Sequence, residues 1–257
     1  MVFTQGLLAH LRSLAAGGGV GAISLTLSHS LRSGRGRMKN PVRRDATMPI
    51  GFTRSHAEIL ADKDLSTRAV ATAMKGRIED AIELARGIIE DWYRCQAFSR
   101  IAEHAKDRTT QLDLIDEALR AARLTEEPNR IVTVSSWPVE VLATLGETET
   151  VRAEVVKLLK IAESEPHPVR RADGIFKLWC HLHSGNAADD ILHTVLKALW
   201  AASSAGHGWK RDRNLRDVAV LLARMGWKEQ ADHTVTLIEQ PRVKRQAERG
   251  MRAPTDR

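Results

Sequence analysis

From Gly76 onward the apolar residues recur with the period of an α-helix. Ile78, Ala81, Ile82, Ala85, Ile88 and Ile89 share one helical face. After a short break at Glu90 and Asp91, the positions Arg94, Ala97, Phe98, Ile101 and Ala105 build a second face of the same period. Two such faces joined by a few residues predict a helical hairpin, and its small alanines let the two backbones approach closely.

The template recurs. Shifted by 150 residues without a gap, Gly226, Glu229, Ala231, Ile238, Lys244 and Ala247 take the places of Gly76, Glu79, Ala81, Ile88, Arg94 and Ala97. Two weaker repeats lie between, one through Ala121, Leu124 and Arg130, the other through Ala162, Arg171, Ile175 and Leu178. A further hairpin is predicted from residues 191–202 followed by 215–225, joined by a longer loop, SSAGHGWKRDR. The spacing of roughly 36 to 41 residues is that of two-helix solenoid units. Pro128, Pro166, Pro168 and Pro241 fall between paired helices, and Gly146, Gly185 and Gly226 fall between units. The pattern therefore predicts an all-α, right-handed solenoid of about five stacked hairpins over residues 76–252. Residues 48–75 are expected to form an N-terminal capping helix region and 253–257 a tail. Each hairpin alone leaves an apolar face bare, so stability must come from stacking.

Composition agrees with helix. Aromatics make up only 4%, and Ala, Leu, Arg and Glu dominate, whereas β-sandwiches need β-branched and aromatic residues at alternating positions. The two cysteines, Cys95 and Cys180, stand alone inside helical patterns. That is no disulfide framework, and it points to a reducing, cytoplasmic setting.

Charge changes the picture more. The net charge of +7 suggests nucleic acid, yet residues 1–44 hold seven basic residues and no acid, and the rest of the chain sums to zero. Inside that neutral body the distribution is uneven: residues 77–165 carry a net −6 and residues 166–257 a net +6. Such a gradient can steer a partner or bias head-to-tail stacking, although solvated helix faces also drift in charge by chance.

Residues 1–47 have no sustained period and read as a disordered basic leader with glycines at Gly17 to Gly19. Three origins are open. A secretory signal would explain the apolar stretch from Ser13 to Leu27, but six basic residues follow it and only Arg12 precedes it. An organellar presequence fits the Arg- and Ser-rich, acid-free composition. Alternatively, translation starts at Met38 or Met48. No stretch is both long and apolar enough for a convincing membrane span.

The run G-x-x-E-x-A-x-x-x-A-x-x-I, a short break, then R-x-x-A-F-x-x-I-A resembles the degenerate tetratricopeptide-like repeats of bacterial proteins, over about residues 76–252. It departs from the tetratricopeptide signature in lacking Trp and Tyr at their usual first-helix positions. The segment PHPVRRADGIFKLW is similar to the second helix of a HEAT unit. Either resemblance implies an α-solenoid that binds other macromolecules, and neither carries catalytic residues across.

Candidate chemistry is sparse. Cys180 and His183 share a helical face beside His181, with His193 one helix later, but the segment lies in the apolar register of Leu178, Trp179 and Leu182. Helix packing explains it better than metal, and no metal or cofactor is expected. Arg94, Arg130 and Arg171 each open a second helix, where the macrodipole disfavours a cation. Their expected role is architectural, bonding carbonyls or acids at the end of the preceding helix. Of the six tryptophans, Trp209 and Trp227 are expected to be partly exposed and the rest to pack between units. Trp209, Lys210, Arg211, Arg213 and Arg216, with Arg245 and Arg249 of the last unit, form the candidate binding surface. No nucleophile elbow, phosphate-binding glycine loop, paired zinc motif or HExxH is present. The expectation is a non-enzymatic scaffold whose partner is a protein or peptide segment, acidic where it meets the C-terminal half. The second reading is a nucleic-acid-binding solenoid using the basic stripe, which Asp212, Asp217, Glu239 and Glu248 interrupt.

Overall fold

The helix signals in the sequence become eleven α-helices in the computed structural model, which describes residues 55–252. The expected leader over 1–47 and tail over 253–257 lie outside the described residues. In chain order the helices are α1 (His56–Ala73), α2 (Ile78–Arg86), α3 (Asp91–His104), α4 (Arg108–Arg123), α5 (Pro128–Thr144) and α6 (Thr148–Glu163). They continue with α7 (Pro168–Ser184), α8 (Asp189–Ser204), α9 (Gly208–Arg224), α10 (Lys228–Thr236) and α11 (Pro241–Arg252). No strand occurs among the described residues.

Local chemistry sets the boundaries. Proline opens α5, α7 and α11, where its fixed φ suits a first turn and its missing N–H is not needed. Asp107 caps α4 by accepting the Thr110 N–H at 2.8 Å. The ends of α1, α5, α7 and α9 share one closure, in which an N–H bonds a carbonyl five residues back: Arg77 to Thr72, Glu147 to Leu142, Ala187 to Leu182 and Trp227 to Leu222. The residue before each donor is left-handed: Gly76 (φ 77°), Gly146 (φ 77°), Asn186 (φ 59°) and Gly226 (φ 82°). Gly185, expected from sequence to serve this turn, serves packing instead. A Cβ there would stand 2.5 Å from the Glu140 carbonyl oxygen and 2.9 Å from Ala143 Cβ, so α7 approaches α5 at a distance only glycine permits.

Each helix packs on the next, and the second helices also pack on the next but one, as in a helical repeat. The second helices α3, α5, α7, α9 and α11 touch in consecutive pairs, and α1 joins their layer by packing on α3. Among the first helices, α6 and α8 are the pair in comparable contact. Buried alanines fill the crossings, including Ala81, Ala97, Ala118, Ala172, Ala219 and Ala231. Pro138 lies inside α5, so the carbonyl of Val134 loses its helical donor, and the buried thiol of Cys95 on α3 donates to it at 3.4 Å.

The predicted long loop before α9 is short in the structure. Helix α8 runs to Ser204 and α9 begins at Gly208, so Trp209 to Arg213 lie in the first turns of a helix. The apolar period starts only at Leu215, one turn late, because the positions that turn inward before it are the polar Arg211 and Asp212.

The region before Gly76 is more than a cap. Asp62 on α1 is buried and accepts the Glu90 N–H at 2.7 Å, which closes the start of α3. Exactly matching it at a spacing of 150 residues, buried Asp212 on α9 accepts the Gln240 N–H at 2.8 Å and closes the start of α11. The 150-residue relation thus extends upstream of Gly76, through Asp62 and Asp212, Leu65 and Leu215, and Ala69 and Ala219. Helices α1 to α3 and α9 to α11 are two versions of one three-helix module.

Candidate functional site

The recurring arginines are architectural, by two devices. Arg94 donates to the Ile88 carbonyl at 3.3 Å and pairs with Asp91, and Arg171 donates twice to the Glu165 carbonyl, at 3.1 and 2.7 Å. Both therefore hold the turn six residues upstream. Arg130 reaches the preceding hairpin instead, 4.0 Å from Glu90, and Arg170 repeats this by pairing with Glu127 at 2.6 Å. First helices are bridged in parallel by Arg108 with Glu147, Arg123 with Glu154 and Arg152 with Asp190. Every arginine from Arg77 to Arg170 is in an ion pair.

Across α3, α5 and α7 the second helices carry an aromatic row. Trp92 meets Trp137 edge-on with centroids 5.2 Å apart, and Trp137 meets His181 edge-on at 6.0 Å. Arg130 lies 6.0 Å from the Trp92 ring, and His181 Nδ1 lies 2.6 Å from a Glu140 carboxylate oxygen. All of these side chains are half-buried, so the row belongs both to the inter-unit packing and to the surface. Burial alone would raise the Glu140 carboxyl, but the hydrogen bond and charge of His181, with Ser184 and Arg100, hold it below its ordinary value.

The remaining histidines and Cys180 are engaged separately. His183 stacks on buried Trp179 at 5.0 Å, and burial lowers its affinity for a proton. His193 meets Trp227 edge-on at 4.7 Å. Desolvation between helices pushes the Cys180 thiol up to about 12. Among the described residues no three His, Cys, Asp or Glu side chains converge as metal ligands.

The structure distributes the candidate basic surface over three places. Trp209, 53% exposed, stands at the start of α9 with Lys210 Nζ 5.9 Å and Arg213 Cζ 5.6 Å from its ring centre. It is the exposed tryptophan of the set, whereas Trp227 is half-buried like Trp92, Trp137 and Trp200. Arg211 is turned inward. It donates to the Leu237 carbonyl at 2.7 Å and lies 3.3 Å from both Asp212 and Glu239, clamping α9 to the turn before α11. Arg216 is half-buried, paired with Asp217 at 2.6 Å and within 3.5 Å of Gln246. Arg245 and Arg249, with Glu248 and Arg252, surround a shallow depression of about 350 Å³ on α11. By the 150-residue relation these four positions correspond to Cys95, Phe98, Ser99 and Ala102, all buried on α3. A second open depression, of about 290 Å³, lies between the turns that follow α5 and α7, lined by small residues such as Gly146, Gly185 and Ala187.

Sequence reading missed the aromatic row and the aspartate clamp. The 150-residue identity of Asp62 and Asp212 was the available signal for the clamp. None of the eleven helices is long and apolar enough to cross a membrane. Set against family models, curated proteins and solved structures, the chain matches none of them.

Proposed function

We propose that this chain is a non-enzymatic scaffold that binds a protein or peptide segment along the exposed face of its second helices. The fold behind it is a right-handed α-solenoid of five hairpins, with α1 standing as the second helix of an additional, incomplete unit. The support for curvature is the unequal spacing of the two layers. Second helices touch from unit to unit while most first helices do not, and a stack that is tighter on one side bends toward that side. The second-helix face is then the concave one. The observation that carries the binding reading is the row Trp92, Trp137, His181, which places half-exposed aromatic surface across three consecutive units. Aromatic side chains give large contact area at small entropic cost and are enriched where proteins meet.

A second reading has its own support. Trp209 with Lys210 and Arg213 beside its ring is a combination used on single-stranded nucleic acid.

The test is affinity capture by the full chain from its host lysate, with nuclease, compared between two surface variants. Gln96→Arg with Thr133→Arg obstructs the second-helix face, and Asp116→Arg with Lys197→Glu alters first helices only. A protein retained by the wild type and the first-helix variant, and lost from the second-helix variant, is the expected result. Equal retention by both variants, or recovery that disappears on nuclease treatment, refutes the reading.

A further inference from the structure

The cations at the starts of α9 and α11 break the pattern set by the rest of the chain. Upstream, every arginine from Arg77 to Arg170 has a carboxylate partner, whereas Arg213, Arg242, Arg245, Arg249 and Arg252 have none among the described residues. Position makes this costlier. Helices α2, α3, α6, α8 and α10 carry acids in their first turns, which the macrodipole favours. Helices α4, α5 and α7 lack such an acid, but their Arg108, Arg130, Arg170 and Arg171 are paired or hydrogen-bonded, whereas for Lys210 of α9 and Arg242 of α11 no ion pair is found among the described residues. The two starts are held side by side by the buried clamp, through Asp212 to Gln240 N and Arg211 to the Leu237 carbonyl. Lys210 and Arg213 act on the Asp173 carboxylate, and Arg213 on Asp217, through space without forming an ion pair, so the cations held beside the exposed Trp209 are only partly balanced and attract an anion.

We propose that the surface formed by Trp209, Lys210, Arg213 and Arg242 docks an acidic peptide segment, with aspartate or glutamate carboxylates on the cations and one apolar side chain against Trp209. The proposal rests on the scaffold reading and names the partner chemistry at the C-terminal end of the second-helix face, beyond the units that carry Gln96 and Thr133. Charge complementarity selects a short acidic segment over a nucleic acid. A phosphate backbone continuing across α7 and α9 meets Asp173, which accepts from Asn214 at 3.2 Å, and Asp217 beside Arg216. Lys210 and Arg213 already lie over the Trp209 ring, where a base would stack. A short carboxylate-bearing segment needs no continuous track.

The experiment titrates the full chain into two fluorescein-labelled probes, a peptide with glutamates on either side of one leucine and a single-stranded oligonucleotide of matched charge. Lys210→Glu with Arg213→Glu is compared with Trp209→Ala and with the Gln96→Arg, Thr133→Arg variant, and circular dichroism checks that each is folded. The expected result is peptide binding that weakens by about tenfold or more on charge reversal, falls with Trp209→Ala, and persists in the Gln96, Thr133 variant. Absent peptide binding, binding indifferent to the charge reversal, or tighter binding of the oligonucleotide overturns the proposal. If a captured partner is lost from the Gln96, Thr133 variant while the peptide probe does not bind, the scaffold reading survives and the acidic-partner proposal alone fails.

Discussion

Removing the Asp212 carboxylate should cost more than a lost helix cap, and the excess can be worked from its neighbours. Like its counterpart Asp62, it is buried and accepts one N–H at the start of a second helix. Losing such a cap costs about 1–2 kcal/mol, since the amide is left without an acceptor in a place water reaches poorly. Asp212 also faces Arg211, whose side chain is 10% exposed and whose other carboxylate partner, Glu239, is 69% exposed. Truncating one member of a buried pair leaves a desolvated charge, at about 3–5 kcal/mol. Asp212→Ala should therefore destabilise by about 3–5 kcal/mol, more than the roughly 1–2 kcal/mol of a lost cap alone. Urea unfolding followed by circular dichroism measures it, with amide exchange in α10 and α11 locating the loss, because stacked units need not unfold together. Arg211→Met combined with Asp212→Leu should recover most of the loss, since it removes the charge and its partner together. A cost no larger than that of a lost cap, or a double variant no better than Asp212→Ala, refutes the assignment of Arg211 as a buried charge that depends on Asp212.

Three further outcomes follow from particular contacts. Gly185→Ala should destabilise by about 1–3 kcal/mol, because its new methyl meets the Glu140 backbone and α7 must move; thermal melts check it, and a wild-type Tm contradicts the close approach. Cys180, with its thiol near 12, and Cys95, driven higher by burial, should resist iodoacetamide at about pH 8 in the native chain and react on unfolding; rapid native labelling would show that the helices do not shield them. Glu140 has a folded pKa below its ordinary 4.5, so its contribution is fully present above that value and is lost as pH falls through the folded one. Glu140→Gln should accordingly flatten the acid limb of the stability profile, and superimposable acid limbs for variant and wild type reject the His181 pairing.

The hairpin pattern was legible because apolar residues repeat at helical spacing and because proline and glycine mark the turns. Pro128, Pro168 and Pro241 open helices as expected, and Gly146 and Gly226 close them. Gly185 was legible as a necessary glycine but not as a packing one, since sequence cannot distinguish a positive φ from a close helix approach. Likewise, the basic surface was legible as composition and not as geometry. Arg211 and Arg213 differ by two positions on a helix and so by about 200° around it, which sends one into the clamp and leaves the other beside Trp209. The aromatic row was hidden for a related reason. Trp92, Trp137 and His181 occupy different depths of their helices and meet only once α3, α5 and α7 are laid side by side. No single-helix periodicity carries that information.

A stack without a shared centre should open unevenly, and the last unit should open first. Leu215, Ala219, Val235, Ile238, Val243 and Ala247 form a hydrophobic cluster separate from the one running through α1 to α10. Helix α11 contributes only Val243 and Ala247 to it, while Arg242, Lys244, Arg245, Arg249 and Arg252 crowd the same twelve residues. Little apolar burial and strong like-charge repulsion both lower the free energy of local opening. Native-state amide exchange should show α11 exchanging well before α5 and α7, which lie between packed neighbours on both sides. An anion that pairs the cations at the starts of α9 and α11 binds the closed arrangement and slows that exchange by a factor that grows with its free concentration c relative to Kd, a free energy of RT ln(1 + c/Kd). Adding the glutamate probe should thus protect α11 and leave α5 unchanged. Uniform protection along the stack would mean that the units unfold as one, and unchanged exchange in α11 with bound probe would mean that the peptide does not bind the clamped start of α11.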